Sequence, residues 1–406
     1  MNVYDSPQSK KSWIRSGWIM LFIISLATAV GQSFGRFSYG VLLPAVRDDL
    51  GISNTQAGLI GAANVGAYLL GTLLVASATS RFKLLYVMRL GLFLVVLGLL
   101  LAGIADSPSM LAMALFMTGI GGALVWIPAP VIAAGALPPK RRGIAVGLIG
   151  SGMGVGVVFI SLLSGALRSS QGDQAWSAMY QVQFSISLIV LVATLLLVRH
   201  QQAAPSGGAG FGGFGALRRM PGWLPLILAY STFGFMYLLV LGFLTTRLED
   251  DSAWSTSDAS LAFTLVGFAM IFGGPTFVTI AHRVSIRRAL TIAFAFWPIC
   301  VGTVLTGFYL PTLIACIGVG LLFSAIPTLM TLYVVENTTA QDYGPSFSAA
   351  TLTFGLAQTI SPAVGGLIAD LNGSFTLVFL LACFMGVVGL VTSLQLPKRV
   401  IPASTR

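Results

Sequence analysis

The chain is 406 residues long, 56% of its residues are hydrophobic, only 8% are charged, and its formal net charge is +10. A soluble protein carries about 25% charged residues, so this composition excludes an ordinary soluble enzyme. Apolar stretches of about 20 residues, the length that crosses a bilayer as a helix, recur along the chain. The sequence therefore predicts an all-α polytopic membrane protein.

Twelve apolar segments are predicted to be transmembrane helices, numbered here as spans 1 to 12. They cover residues 17–43, 55–78, 84–104, 109–136, 143–167, 178–198, 223–246, 259–281, 289–308, 311–335, 344–369 and 374–395. Of the 22 basic residues, 18 flank the spans on the side that carries both chain termini. The positive-inside rule makes that side cytoplasmic. We therefore expect a multi-pass protein of the bacterial inner membrane with cytoplasmic N- and C-termini, and no nucleic acid as partner.

Span 1 follows a basic cluster, and its Ala27-Thr28-Ala29 step has the small-residue spacing of a signal-peptidase site. The apolar sequence continues to Leu43, however, and removing its first half would leave an odd number of spans. We therefore expect an uncleaved first helix.

Arg36 is the only charge placed deep in a predicted span. An unpaired cation there costs roughly 2.5–3.5 kcal/mol, and no embedded Asp or Glu is available to pair with it, so we expect an anionic substrate as its partner. In an α-helix Gln32, Ser33 and Tyr39 would share a face with Arg36, and the four could bind a carboxylate together. The alternative is that Arg36 extends out of the membrane or binds backbone carbonyls.

Asn64 and Tyr68 share one face of span 2, so both are candidate substrate contacts. The alternative for Asn64 is a hydrogen bond to a neighbouring helix, which is the common use of such a side chain inside a helical bundle.

Residues 199–222 form the longest interruption between spans, and their Gly-rich composition is typical of a flexible linker. No Gly-Lys-Ser/Thr sequence follows, as a phosphate-binding loop would require. We therefore divide the chain into an N-terminal six-helix half at 1–198, a cytoplasmic linker at 199–222 and a C-terminal six-helix half at 223–406.

The two halves repeat each other. Three glycines of span 5 recur in span 11 at an offset of 201 residues, namely Gly143, Gly154 and Gly165 as Gly344, Gly355 and Gly366. A Gly-x-Gly step of span 4 at 119–121 recurs in span 10 at 318–320, at an offset of 199 residues. Near-equal offsets indicate a duplication with parallel topology. They predict two pseudo-symmetric six-helix bundles with a ligand site between them near the bilayer midplane.

The chain resembles the major facilitator superfamily over essentially its whole length. The loop after span 2 resembles a degenerate form of that superfamily's Gly-x-Leu-Ala-Asp-Arg-x-Gly-Arg-Arg motif, with Arg81 retained and Ser80 at the position of the Asp. The loop after span 8 repeats the motif around Arg283. The resemblance implies that Arg81 and Arg283 govern switching between inward-open and outward-open states. We also expect Glu336, with Asp342, to pair with cytoplasmic arginines and close the inner gate.

Motifs in spans 1 and 2 look like those of the bacterial YbfB/YjiJ group of this superfamily. They include residues 35–39 and 64–71. The resemblance implies a transporter whose central cavity is lined in part by spans 4, 7 and 11. Candidate substrate contacts on these helices are Trp126, Tyr230, Tyr237 and Gln358.

Anion carriers of the superfamily often place Asp-Arg in span 1, eight residues before a proline. Arg36 and Pro44 keep that spacing, but Gly35 stands where the proton-carrying Asp is expected. The routes left open are anion exchange, uniport, and symport in which the substrate's own carboxylate brings the proton.

We therefore predict a monomeric secondary transporter that moves a small, carboxylate-like organic anion by alternating access, by proton symport or anion exchange. The alternative is an exporter of neutral or amphipathic compounds, whose apolar cavity would not need Arg36. An enzyme fits poorly, because the sequence shows no nucleophile constellation, acid–base pair or metal spacing. No cofactor or metal is expected, and the three cysteines are interpreted as packing residues.

Overall fold

The computed structural model describes residues 7–78, 81–138, 141–199 and 213–398. Within these ranges the chain is almost entirely helical, and twelve helical stretches are long and apolar enough to cross a membrane. The helices are Pro7–Thr28, Ala29–Phe37 (π-helical), Ser38–Leu50, Asn54–Ala78, Leu84–Ala102, Pro108–Trp126, Ala129–Ala136, Arg142–Gln171, Ala175–Leu197, Gly213–Arg219, Trp223–Thr246, Arg247–Asp251 (π-helical), Thr256–Val284, Ile286–Leu305, Tyr309–Asn337, Ala340–Asn372 and Thr376–Leu394. The predicted fold class, twelve spans in two six-helix bundles, is confirmed.

Spans 1 and 7 are longer than predicted, because they end at Leu50 and Asp251 rather than at residues 43 and 246. Their last turns carry charged side chains held in ion pairs, so an apolar pattern could not reveal them. Span 4 is interrupted after Trp126, where Pro128 and Pro130 each lack the backbone N–H that would continue the helix.

The two ends of the bundle are named here by their position relative to the chain termini. The terminal end carries the start of span 1 and the end of span 12, and the distal end is the opposite one. Glycines on one face of span 11 show how the halves separate between these ends. A Cβ atom on Gly366, near the distal end, would lie 2.1 Å from the Asn54 carbonyl oxygen of span 2.

The contact loosens along the same face toward the terminal end. A Cβ on Gly355 would meet the flexible Leu69 side chain at 2.6 Å, and a Cβ on Gly344 would meet nothing within 4 Å. The glycines are spaced by about three helical turns, so they share one face. The gap between the halves therefore widens toward the terminal end.

Span 5 shows the same gradient against span 8. A Cβ on Gly165 would lie 3.1 Å from the Ser260 Cβ, and a Cβ on Gly154 would lie 2.6 Å from the Ile271 side chain. Two turns closer to the terminal end, a Cβ on Gly147 would meet nothing within 4 Å. Gly154 and Gly165 therefore allow close packing of span 5 against span 8, and this contact is lost toward the terminal end.

The pseudo-symmetry is visible in equivalent contacts of the two halves. A Cβ on Gly119 of span 4 would lie 2.2 Å from the Asn64 carbonyl oxygen of span 2. A Cβ on Gly320 of span 10 would lie 2.2 Å from the Val266 carbonyl oxygen of span 8. Gly320 follows Gly119 by 201 residues and Val266 follows Asn64 by 202, so the equivalent contact is made by Gly320 and not by Gly318, the counterpart of Gly119 in the sequence repeat.

Ion pairs join the two halves at the distal end. Arg168 of span 5 donates to both carboxylate oxygens of Glu249 on span 7, each at 2.8 Å. Arg47 of span 1 pairs with Asp250 of span 7. The Arg168 side chain is 1% exposed, so its pair is shielded from water.

A helix cap adds a third connection at the distal end. Asp370 of span 11 accepts hydrogen bonds from the backbone N–H groups of Asn54 and Thr55, at 3.0 and 2.7 Å. These N–H groups begin span 2 and have no partner within their own helix. The distal end is therefore closed by spans 1, 2 and 5 of one half against spans 7 and 11 of the other.

The segment predicted as a flexible linker contains a short helix, Gly213–Arg219, while its residues 200–212 lie outside the described ranges. The helix packs on span 11, where a Cβ on Gly213 would lie 2.1 Å from the Pro345 carbonyl oxygen. Arg219 also donates to Asp342 at 2.5 Å. This end of the linker is therefore helical where it contacts span 11. Its Gly-rich composition does not predict that helix.

Candidate substrate site

Span 1 is π-helical around Arg36, from Ala29 to Phe37. The Ser38 N–H donates to the Ser33 carbonyl, five residues back rather than the four of an α-helix. Arg36 is the one residue of this segment that is not buried. Single π-helical turns inside α-helices are frequent at functional sites.

The carbonyl groups that this irregular stretch leaves free are bound by side chains. The Gly35 carbonyl accepts from Asn64 Nδ2 at 2.9 Å and from Thr118 Oγ1 at 2.8 Å. Pro44 has no N–H for the Gly40 carbonyl, which accepts instead from Thr245 Oγ1 of span 7 at 2.8 Å. The backbone around Arg36 is thus fixed by spans 2, 4 and 7.

The Arg36 guanidinium crosses to the C-terminal half. Its Nη2 donates to Tyr237 Oη and to Gln358 Oε1, both at 2.6 Å. The Tyr237 hydroxyl donates in turn to Gln358 Oε1 at 2.7 Å. The guanidinium carbon lies 4.6 Å from the centre of the Tyr68 ring, which is cation–π distance. Four predicted site residues are therefore brought together.

All of these Arg36 partners are electrically neutral. Among the described residues no carboxylate lies within ion-pair distance of Arg36, and its Nε is buried without a hydrogen-bond partner. Arg36 therefore keeps a whole positive charge and unused donor capacity between the two halves.

Gln32, Ser33 and Tyr39 use their polar atoms on neighbouring helices rather than on Arg36, although Tyr39 lines one cavity together with Arg36, and their assignment as substrate contacts stays a prediction. Gln32 donates to the Gly122 carbonyl of span 4 at 3.3 Å, Ser33 to the Met153 carbonyl of span 5 at 2.7 Å, and Tyr39 to the Ala57 carbonyl of span 2 at 2.8 Å. The wider π-helical turn changes the direction of successive side chains, so α-helical spacing does not apply.

The remaining predicted contacts differ in their surroundings. Asn64 is buried, and besides the Gly35 carbonyl it binds the Leu115 carbonyl at 2.7 Å, which matches the helix-to-helix alternative. Tyr230 stacks on Phe354 at 4.6 Å. Trp126 is half-buried against the core at the break in span 4.

Sequence reasoning missed the aromatic residues around Tyr237. Phe233, Phe323 and Phe354 surround its ring with centroid distances of 5.2, 5.2 and 6.0 Å. A signal was present, because Phe233 precedes Tyr237, and Phe354 precedes Gln358, by one helical turn.

A cavity of about 40 Å³ lies between Arg36 and the distal end. Its lining includes Tyr39, Leu43, Gly58 and Phe243. A water needs about 10–15 Å³ of such volume, so this cavity has room for a few waters but not for an organic ligand. The halves separate on the other side of Arg36, toward the terminal end.

The predicted gating residues lie at the terminal end. Arg81 is exposed in the turn after span 2, Arg283 is exposed in the last turn of span 8, and Glu336 is half-buried near the end of span 10. Within the described part of the chain none of the three forms an ion pair, whereas Asp342 pairs with the linker residue Arg219. Ser80, the changed motif position, lies outside the described residues.

The sequence profile of a family described as the uncharacterised MFS-type transporter YbfB matches residues 28–394. The chain belongs to this family of membrane transporters. The family is described as one of transporters rather than enzymes.

Two curated relatives match parts of the chain. The multidrug efflux pump SdrM of Staphylococcus aureus is 24% identical over 177 residues, which are 44% of this chain and 38% of the pump. A probable 4-methylmuconolactone transporter of Cupriavidus pinatubonensis is 26% identical over 201 residues, which are 48% of this chain and 43% of that protein. The chain thus matches less than half the length of either relative.

A solved structure confirms the fold. The crystal structure of a bacterial homologue of the human lysosomal transporter Spinster, in an inward-facing and unoccupied conformation, has a TM-score of 0.74 to this chain. The two are 17% identical, and the match covers 96% of this chain and 99% of the homologue. At this level of identity the similarity shows the fold alone.

Proposed function

We propose that the protein is a secondary carrier of a small organic anion, which binds Arg36 in the gap between the two halves. The observation that carries the proposal is the half-buried Arg36, whose guanidinium has only neutral partners among the described residues. A cation inside a membrane span is costly unless a negative group pairs with it. A carboxylate arriving from the terminal end could bind the unused guanidinium donors.

The distribution of basic residues supports a cytoplasmic terminal end in a bacterial inner membrane. With that orientation, the distal ion pairs close the outer side and the separated glycines open the inner side. This corresponds to one state of alternating access between the halves at 1–198 and 223–406, joined by the linker at 199–222. We propose that Arg81, Arg283 and Glu336 act in the other state, when the terminal end closes.

Among the described residues no carboxylate lies beside Arg36, and this supports particular means of coupling. Gly35 stands before Arg36, and the described carboxylates of spans 1 and 7 lie in their distal turns. We therefore propose anion exchange, or symport in which the substrate's own carboxylate brings the proton. A single chain contains both halves and the whole candidate site, which supports a monomer.

A second candidate function is export of neutral or amphipathic compounds. The observation that favours it is the aromatic cluster around Tyr237, which offers apolar surface without charge. One curated relative is named as a multidrug efflux pump. In an exporter of this kind the aromatic rings would bind the substrate and Arg36 would be dispensable.

The test measures ligand-induced thermal stabilisation of purified protein with acetate, benzoate, methanesulfonate, sulfate and neutral benzamide. A ligand at about 100 times its Kd should add roughly 2.7 kcal/mol of stability. We expect wild type to be stabilised by carboxylates and Arg36→Gln to lose that response. The matched control is Arg288→Gln, which changes an exposed arginine at the terminal end and should respond as wild type does.

Counterflow of the stabilising anion in proteoliposomes then separates a carrier from a receptor. Uptake of labelled anion against unlabelled anion inside supports the carrier, whereas binding without counterflow contradicts it. Stabilisation by benzamide that persists in Arg36→Gln would instead favour the exporter.

A further inference from the structure

Four aromatic rings beside Arg36 form a stack that the binding of a carboxylate alone does not need. Phe354 of span 11 lies nearly parallel to Tyr230, Phe233 and Tyr237 of span 7, with interplanar angles of 22°, 15° and 11°. The Tyr237 hydroxyl is itself a partner of Arg36. The stack therefore adjoins the guanidinium directly.

Phe354 is the member of this stack that can meet a ligand. The other three rings are buried, whereas Phe354 is half-buried. Leu356 and Ile360, which are 52% and 56% exposed, mark the outer face of span 11. Phe354 is two residues from Leu356, about 200° around the helix, so its accessible surface faces the gap between the halves.

Gly234 lets the Phe354 ring lie flat against span 7. A Cβ on Gly234 would lie 2.8 Å from Phe354 Cδ2 and 2.6 Å from the Phe354 carbonyl oxygen. Any side chain at residue 234 would displace the ring or the backbone of span 11. The planar surface therefore depends on a glycine, as well as on the aromatic residues.

The ring and the guanidinium are placed for the two ends of one small ligand. Phe354 lies four residues before Gln358, the acceptor for Arg36, which is about 6 Å along the helix toward the terminal end. A carboxylate at Arg36 would place the first atoms of the attached body beside the Phe354 ring. A planar conjugated body would stack on it, which a puckered saturated body cannot do equally well.

We propose, on the basis of the function proposed above, that the carrier selects anions with a planar apolar body, such as arene carboxylates. Arg36 binds the acid group, and Phe354 is the specificity-determining residue that recognises the planar body. Saturated carboxylates of the same size bind the same guanidinium more weakly.

The experiment compares the Kd values of benzoate and cyclohexanecarboxylate, which have the same carboxylate on a planar and a puckered six-membered ring. We expect wild type to prefer benzoate by about 3- to 10-fold, the range that one aromatic contact supplies. Phe354→Leu should abolish this preference, while Phe354→Tyr should keep it. The matched control Phe384→Leu, at a ring that is 59% exposed on span 12, should also keep it.

A second variant tests the planar surface without removing the ring. Gly234→Ala should reduce the preference for benzoate, because its Cβ displaces Phe354. Equal Kd values for the two acids in wild type, or a preference that persists in Phe354→Leu, would overturn the inference.

The same measurements separate this inference from the proposed function. If both acids bind, and both lose affinity in Arg36→Gln, but neither is preferred, the anion carrier stands and the aromatic selection fails. If neither acid binds wild type, or if both bind equally well to Arg36→Gln, the proposed function itself fails.

Discussion

Asn64 stabilises the backbone beside Arg36 through several hydrogen bonds from one amide. Its Nδ2 lies 2.9 Å from the Gly35 carbonyl, 2.7 Å from the Leu115 carbonyl and 3.0 Å from Thr118 Oγ1. These groups belong to spans 1 and 4, while Asn64 belongs to span 2. The residue therefore connects three helices at the turn that directs Arg36 to the other half.

Replacing Asn64 by leucine should lower stability without abolishing anion binding. The variant loses hydrogen bonds that contribute about 0.6 kcal/mol each and at most about 1.7 in a membrane bundle, so we expect a loss of about 1–2 kcal/mol. Denaturant unfolding measures this loss, and the carboxylate-induced thermal shift measures binding. Asn372→Leu is the control, because among the described residues its exposed amide binds only the Ile368 carbonyl of its own helix. Unchanged stability with lost binding would contradict a structural role.

For single residues, the sequence shows that a charge lies inside a span more reliably than it shows where the neighbouring side chains point. Arg36 is recognisable because one cation in an apolar helix is a local signal, and Tyr237 and Gln358 lie on helices that the family resemblance assigns to the cavity. The directions of Gln32, Ser33 and Tyr39 depend on the π-helical turn. Side chains of spans 2 and 4 bind the carbonyl group that this turn leaves free. The spacing of residues along span 1 alone could therefore not predict the turn.

Span 11 carries the same residue, glycine, in three different packing environments on one face. At Gly366 a Cβ would clash with a carbonyl oxygen of span 2, and at Gly344 it would meet open space. This face of the helix is therefore tightly packed at one end and unpacked at the other. Substituting the same side chain at both positions isolates this difference.

Gly366→Ala should destabilise the protein and Gly344→Ala should not. The new methyl group at residue 366 forces a backbone shift that costs about 1–3 kcal/mol. At residue 344 the alanine meets no neighbour and favours the helix by about 0.5–1 kcal/mol. Thermal unfolding of the two variants should move the Tm in opposite directions. Equal losses of stability would show that the halves are packed at both ends.

The sequence repeat identified these glycines, and at Gly154 and Gly366 they allow close approach of a neighbouring helix. The gradient along the face could not be predicted from the repeat. It depends on how far apart the halves lie at each level, which is a property of the conformation and not of either helix.

Closure of the distal end depends on charges that lie far apart in the chain. Arg168 and Glu249 are separated by 81 residues, and Arg47 and Asp250 by 203 residues. The sequence placed these residues on the same side of the membrane. It could not pair them, because each pair forms only when two helices from different halves meet.

Arg168→Gln should shift the molecule toward a state that is open at the distal end. Removing one partner of a buried ion pair costs about 3–5 kcal/mol, and here the cost falls on the closed state, in which Glu249 stays buried. Distances between spin labels at the exposed residues Gln171 and Asn372, in a background without the three native cysteines, should become longer.

Arg247→Gln is the matched control for this measurement. Arg247 is also buried at the distal end, but its ion-pair partner Asp251 belongs to the same span. Its loss should leave the label distances unchanged. If both variants open the distal end equally, local destabilisation rather than the pair between the halves explains the result. The double variant Arg47→Asp with Asp250→Arg should restore closure that Arg47→Asp alone disrupts.

The hydrogen bonds of Arg36 also have a consequence for biosynthesis. Tyr237 follows Arg36 by 201 residues and Gln358 follows it by 322 residues, so both acceptors are translated long after span 1. At about 5–20 residues per second, the nascent first half waits roughly 10–40 s for Tyr237. During that interval Tyr68 of span 2 is the partner already made. Insertion of span 1 must therefore tolerate a hydrated guanidinium until the second half arrives.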